Sequence, residues 1–112
     1  MFKTLVTGGK TGQHYVYLVP VNCELDLKKA AKAVGEKYIE MVKSSELLSL
    51  TGYIHGGCSP VGMKKQFTTV FHSSALDLAE FYVSAGKVGR QIRVNPKTLC
   101  EFVGAKFKNI IV

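Results

Sequence analysis

A chain of 112 residues, 46% of them hydrophobic, can bury one sizeable core and is too short for two domains. That apolar content and an even scatter of charge exclude a disordered chain, and the longest apolar run, Tyr15 to Val21, is too short to span a bilayer. Fifteen Lys and Arg against eight Asp and Glu leave a formal charge of +7, which favours nucleic acid or another phosphorylated partner.

The segments "FKTLVT" and "HYVYLVPV" read as strands joined by the turn Gly8–Gly12. A first strand that opens the chain lacks one neighbour, and pairing of two copies as a homodimer is the expected cover. Asp26 stands where a helix cap belongs, ahead of "LKKAAKAVG". There Leu27, Ala30, Ala31 and Val34 recur at helical spacing, and Gly35 supplies a left-handed stop.

"KYIEMV" reads as a short strand. A helix over "ELLSL" follows, capped by Ser44 or Ser45 and closed by Gly52. "QFTTVF" is a strand by its β-branched and aromatic content, and "SSALDLAE" a helical turn capped by Ser73 or Ser74. "FYVSAGKVGRQIRV" reads as two strands around a glycine-bearing connection. Asn95 and Pro96 then start a helix that Gly104 ends, and "KFKNIIV" closes the chain as a strand. Hairpins mixed with helical excursions predict a mixed sheet with helices packed on it. The aromatics Phe67, Phe71, Phe81 and Tyr82 fall within strand patterns and are expected in the core.

Cys23, Cys58 and Cys100 lie too far apart for a metal knuckle or a redox pair, and an odd count argues for reduced thiols. Nothing reads as a leader peptide, so the expected location is the cytoplasm. His14, His55 and His72 show no metal-binding spacing, and no metal is expected.

Three features could carry chemistry. In "TGYIHGGCSPVGMKK", glycines free the backbone for close approach, so consecutive N–H groups could converge on an anion or a polarised carbonyl oxygen. A tight turn between a helix and a strand explains the same residues. In "YVSAGKVGRQ", Ser84, Gly86, Lys87 and Gly89 form either a second wall of a polar pocket or an ordinary hairpin loop. Lys3, on an otherwise apolar strand, points its ammonium inward toward a ligand or lies at a wet strand end. Cys58 reads as a nucleophile within a polar loop or as a small apolar side chain.

Together and in this order, "FKTLV", "LDLKKAAKAVG", "TGYIHGGCSPVGMKK", "FYVSAGKVGRQIRV" and "GAKFKNI" resemble the YbaK/prolyl-tRNA editing domain family, most of all its cysteinyl-tRNA(Pro) deacylase branch. The resemblance covers nearly the whole chain. It implies an α/β (α+β) fold with a mixed, barrel-like sheet flanked by helices, one editing domain over residues 1–112, and no cofactor. The implied activity is hydrolysis of the ester that joins a wrong amino acid to the terminal ribose of a tRNA. Such editing is needed because a synthetase pocket shaped for proline cannot strongly reject a similar small side chain. The implied partners are the aminoacylated tRNA 3′ end and prolyl-tRNA synthetase, with no membrane.

Residue by residue, the resemblance assigns Lys3 to orienting the terminal adenosine and the ester. Gly57, with Gly56, Cys58, Ser59 and Pro60 around it, holds the acyl end. Ser84, Gly86 and Lys87 belong to the family's second glycine motif, and Gln91 stands where relatives carry an aspartate. In the cysteine-specific branch the substrate's own thiol attacks its ester, so the protein mainly positions and stabilises charge. The chain departs from the family in having only two residues ahead of Lys3. A pocket-lining tyrosine of relatives belongs to that absent part, and the expectation is a shortened editing domain. The alternative is a non-catalytic module that binds tRNA 3′ ends or a synthetase.

Overall fold

The computed structural model describes residues 1–112. Strands β1 (Phe2–Gly9) and β2 (His14–Pro20) pair antiparallel from Phe2 opposite Pro20 to Gly8 opposite His14. The helix α1 (Leu27–Val34) begins where the Asp26 carboxylate accepts from the N–H groups of Lys28 and Lys29 at 2.9 and 3.0 Å. It ends at Gly35, whose φ of +76° a side chain would resist. A short strand β3 (Ile39–Met41) then pairs antiparallel with Thr7–Gly9 of β1.

Helix α2 (Ser44–Thr51) leads through the glycine loop to β4 (Thr68–His72), which lies parallel to β2. After a 3₁₀ turn at Ser73–Asp77, β5 (Phe81–Ser84) and β6 (Gln91–Val94) form a separate antiparallel ribbon. Helix α3 (Pro96–Val103) is capped by Asn95, whose side-chain oxygen accepts from Thr98 N–H at 3.0 Å. Strand β7 (Lys106–Lys108) completes a mixed five-stranded sheet in the order β3-β1-β2-β4-β7. The mixed sheet flanked by helices is the expected class. The sheet is open, and the separate ribbon packs over β1, where the rings of Phe2 and Phe81 meet edge-on at 5.0 Å.

Period-two alternation gives the sheet two cores. Val16, Leu18 and Phe71 point one way, toward Phe81, Val83 and α3, while Tyr15, Tyr17, Val19 and Val70 point the other way, toward Ala30 and Ala31 of α1. Tyr17 keeps its hydroxyl satisfied in that second core by donating to the Ala30 carbonyl at 2.9 Å.

Several local expectations are corrected. Ser44 lies inside α2, and neither it nor Ser45 caps the helix, because Lys43 occupies the extended cap position without a side-chain bond. His72 caps the 3₁₀ turn in place of Ser73 or Ser74, its Nδ1 accepting from Ser74 N–H at 3.1 Å. Tyr82 is exposed because it alternates with the buried Phe81 and Val83. The last strand stops at Lys108, and Ile111 instead bridges to Leu25.

The first strand finds part of its missing neighbour within the chain. β3 covers Thr7–Gly9, and Val42 N–H donates to Val6 O at 3.1 Å. On the opposite side, Met1 O accepts from Val21 N–H at 2.9 Å. Main-chain groups alternate in direction along a strand, so the edges of Phe2 and Thr4 face away from β2, with no strand beside them. That gap positions the site.

Candidate active site

The uncovered edge of β1 forms one wall of a cavity of about 350 Å³. Lys3 and Thr4 contribute from β1, Val42 and Leu47 from the β3–α2 segment, and His55, Gly56 and Cys58 from the glycine loop. Phe2 and Val6 belong to the Phe81 core and Leu5 packs on the α1 side, so alternation places Thr4 with the first set and Lys3 with the second. Both reach the cavity because it opens at the strand's edge. The volume suits a ligand the size of an amino-acid ester.

Lys3 is half-buried and no carboxylate pairs with it; the one ion pair in the protein joins Arg93 to Glu80, at the surface. Its ammonium is therefore uncompensated beside a hollow lined largely by apolar residues.

The loop is held at its base. Thr51 Oγ1 donates to Leu47 O at 2.8 Å and accepts from Tyr53 N–H at 3.0 Å, while Lys64 N–H donates to Thr51 O at 3.1 Å. Tyr53 crosses underneath and donates its hydroxyl to Val61 O at 2.7 Å. Gly57 N–H is used within the loop, donating to Ile54 O at 3.0 Å. The N–H groups of His55, Gly56, Cys58 and Ser59 have no acceptor in the protein, and of these residues Gly56 and Cys58 line the cavity beside His55 while Ser59 does not. Gly57, expected at the acyl end, does not itself line the cavity, and its N–H is already used within the loop. What glycine supplies at position 57 is space, since a Cβ there would stand 3.3 Å from Val88 N.

That contact explains the second glycine segment. Ser84, Gly86 and Lys87 do not line the cavity, against the expectation of a second pocket wall. The β5–β6 hairpin buttresses the first loop from behind. Ser84 Oγ accepts from Gly86 N–H at 3.3 Å, Arg90 N–H donates to Lys87 O at 3.0 Å, and Gly86 takes φ +99° with the Tyr53 ring against it. Ser59 and Pro60 are likewise buried in the loop's support, Ser59 Oγ accepting from Val61 N–H at 3.4 Å. Gln91 is exposed opposite Ser84 and away from the cavity.

Cys58 behaves as a wall. It is 6% exposed, and burial pushes its thiol pKa above the ordinary value, so the thiolate needed for attack is disfavoured. His14 packs on Phe67 and His72 serves as a cap, leaving His55 alone at the cavity.

Residue reasoning missed Thr4 and Tyr53. Thr4 Oγ1 is buried with no hydrogen-bond partner. The signal was present: Thr4 occupies the inward position between Phe2 and Val6, where a lone hydroxyl is out of pattern.

The sequence profile of the family described as "Aminoacyl-tRNA editing domain" matches residues 1–102. The chain belongs to this editing-domain family. The editing domain is 50% identical over 111 residues, 98% of its length and 67% of the relative's, to EbsC of Enterococcus faecalis, a candidate Cys-tRNA(Pro)/Cys-tRNA(Cys) deacylase. It thus spans about two-thirds of that relative. Among solved structures, it superposes with a TM-score of 0.89 and 30% identity on a candidate trans-editing enzyme for prolyl-tRNA synthetase, covering 99% of this chain and 69% of that one. A hypothetical protein, APE2540, shares the fold at a TM-score of 0.92 and 23% identity, covering 100% of this chain and 74% of that one. No helix of the editing domain is long and apolar enough to cross a membrane.

Proposed function

We propose that this editing domain hydrolyses cysteinyl-tRNA(Pro), clearing the product of a prolyl-tRNA synthetase error. The observation that carries the reading is the meeting of an unpaired Lys3 with the free N–H-bearing residues Gly56 and Cys58 around a cavity of about 350 Å³. The family membership and the names of its relatives point the same way.

The Lys3 ammonium attracts the terminal nucleotide's oxygens. The Gly56 and Cys58 N–H groups, both without an acceptor in the protein, receive the ester carbonyl oxygen, whose negative charge grows in the transition state. Burial raises the Cys58 thiol pKa and disfavours it as the nucleophile, which leaves attack to the substrate's own thiol. The substrate's sulfur bonds to its own ester carbon, the bond from that carbon to the ribose oxygen breaks, and the thiol proton ends on the ribose hydroxyl. A cyclic thiolactone leaves, and water opens it. Holding sulfur and carbonyl together in one small hollow supplies the orientation such a closure needs.

Gln91 favours the non-catalytic alternative only if the family's aspartate charge is needed inside the cavity, and its position lies outside. The test is release of amino acid from charged tRNA. Cysteine should leave cysteinyl-tRNA(Pro) well above the rate in buffer, while prolyl-tRNA(Pro) stays intact. Tight binding of both with release of neither would establish a binding module.

A further inference from the structure

We propose that the groove between α1 and β7, at the far edge of the sheet from the cavity, binds the phosphate backbone of RNA. The identity of that RNA as the acceptor arm of the substrate rests on the reading above.

The groove, about 410 Å³, is lined by Lys29 and Lys32 of α1, Lys106 and Lys108 of β7, Asn109 and Ala33. Each pair is placed by its element. Lys29 and Lys32 are three apart on a helix whose Ala30 and Ala31 are buried, and so share a flank. Lys106 and Lys108 are two apart on a strand whose intervening Phe107 packs into the opposite core, so both turn toward α1. The two elements were built separately, yet they aim four ammonium groups into one hollow.

No carboxylate lines the groove, and none of the four lysines takes part in an ion pair. Lys29 Nζ donates to Ile111 O at 2.9 Å, which holds one charge at the rim. Four like charges in one concavity repel each other, and a surface kept only for solubility would intersperse an acid among them. A polyanion removes that repulsion, and phosphodiester oxygens suit ammonium groups, which need no planar partner. Ala33 is the only apolar residue in the lining, which disfavours a membrane surface, where insertion would need apolar side chains. In the order β3-β1-β2-β4-β7, three strand spacings separate β1 from β7, about 14 Å, so an RNA whose 3′ end enters the cavity passes the groove within a few nucleotides.

The test compares two triple variants of equal charge change. Lys32→Gln/Lys106→Gln/Lys108→Gln removes three of the groove's four lysines, and Lys10→Gln/Lys37→Gln/Lys97→Gln removes exposed lysines elsewhere. The probe is an uncharged RNA hairpin with an acceptor stem and a single-stranded 3′ end, followed by fluorescence anisotropy across salt concentrations. The groove variant should bind at least about tenfold more weakly, with the salt slope of log K shallower by about 2 to 3, and the control variant should change by less than about threefold. Cleavage of a short cysteinyl-adenosine ester, which has no stem, should be the same in all three proteins. Equal losses in both variants, no loss in either, or stronger binding to phosphatidylserine vesicles than to the hairpin would overturn the proposal. Failure of the wild type to cleave any ester would sink the deacylase reading while leaving the hairpin result decisive for the groove.

Discussion

Gly57 and Val88 meet backbone to backbone: a Cβ on Gly57 would stand 3.3 Å from the Val88 nitrogen and 3.5 Å from Lys87 Cα. The glycine loop thus keeps its shape because the β5–β6 hairpin lies directly behind it. Gly86 adds a second lock, since a Cβ there would come within 2.9 Å of the Tyr53 ring at a φ of +99°.

Gly57→Ala needs only a few tenths of an ångström of give and should cost about 1 kcal/mol. Gly86→Ala combines a clash with a left-handed backbone and should cost about 1–3 kcal/mol. Urea unfolding of both variants checks the order. A Gly86→Ala protein as stable as the wild type would show that the hairpin does not lock the loop.

Thr4 Oγ1 is buried without a partner, a cost already present in the folded protein. Removing the hydroxyl in the near-isosteric Thr4→Val should leave stability unchanged or raise it by about 1 kcal/mol. If substrate supplies the missing bond, kcat/KM should fall about tenfold in the same variant. Lower stability in Thr4→Val would mean that the hydroxyl is satisfied without ligand.

Cys58→Ala should keep kcat within about threefold, because the thiol lines the cavity without attacking. At pH 8, a thiol reagent should modify the half-exposed Cys23 first, with Cys58 and Cys100 slow until unfolding. Burial raises both buried thiols, so their neutral form favours the fold. That contribution is complete below the ordinary thiol pKa and is lost as pH rises through the raised values. Early modification of Cys58 in the native protein would contradict the burial account.

Glu36 clamps the β1–β2 hairpin to the end of α1 through the Thr11 and Tyr15 hydroxyls, Tyr15 donating at 2.6 Å. These bonds lower the Glu36 pKa, led by Thr11 and then Tyr15, with burial opposing them. A lowered carboxyl contributes its stability above its unfolded pKa and loses it as pH falls through the folded one. Glu36→Gln should therefore melt below the wild type at neutral pH and converge with it in acid. A gap that persists at low pH would assign the effect to packing.

Much of the fold was legible because its signals are local. Asp26 and Asn95 cap the helices expected of them, and Gly35, Gly52 and Gly104 all stop helices in the left-handed region. Local reading failed at Lys43 and His72, whose cap positions follow from where α2 begins and where β4 ends. The site was legible only in part. Lys3, Gly56 and Cys58 come together at the cavity, but Ser84, Gly86 and Lys87 lie one layer behind it. Thr4, Val42 and Leu47 enter the site because β3 covers only one end of β1, a consequence of pairing that no short stretch encodes.

The most direct measurement is single-turnover release of cysteine from cysteinyl-tRNA(Pro) by the wild type and by Lys3→Ala, with thermal melting of both. Loss of one preorganised charge beside the ester should slow release by about a hundredfold while leaving Tm nearly unchanged. A Lys3→Ala protein that releases cysteine at the wild-type rate would contradict the account.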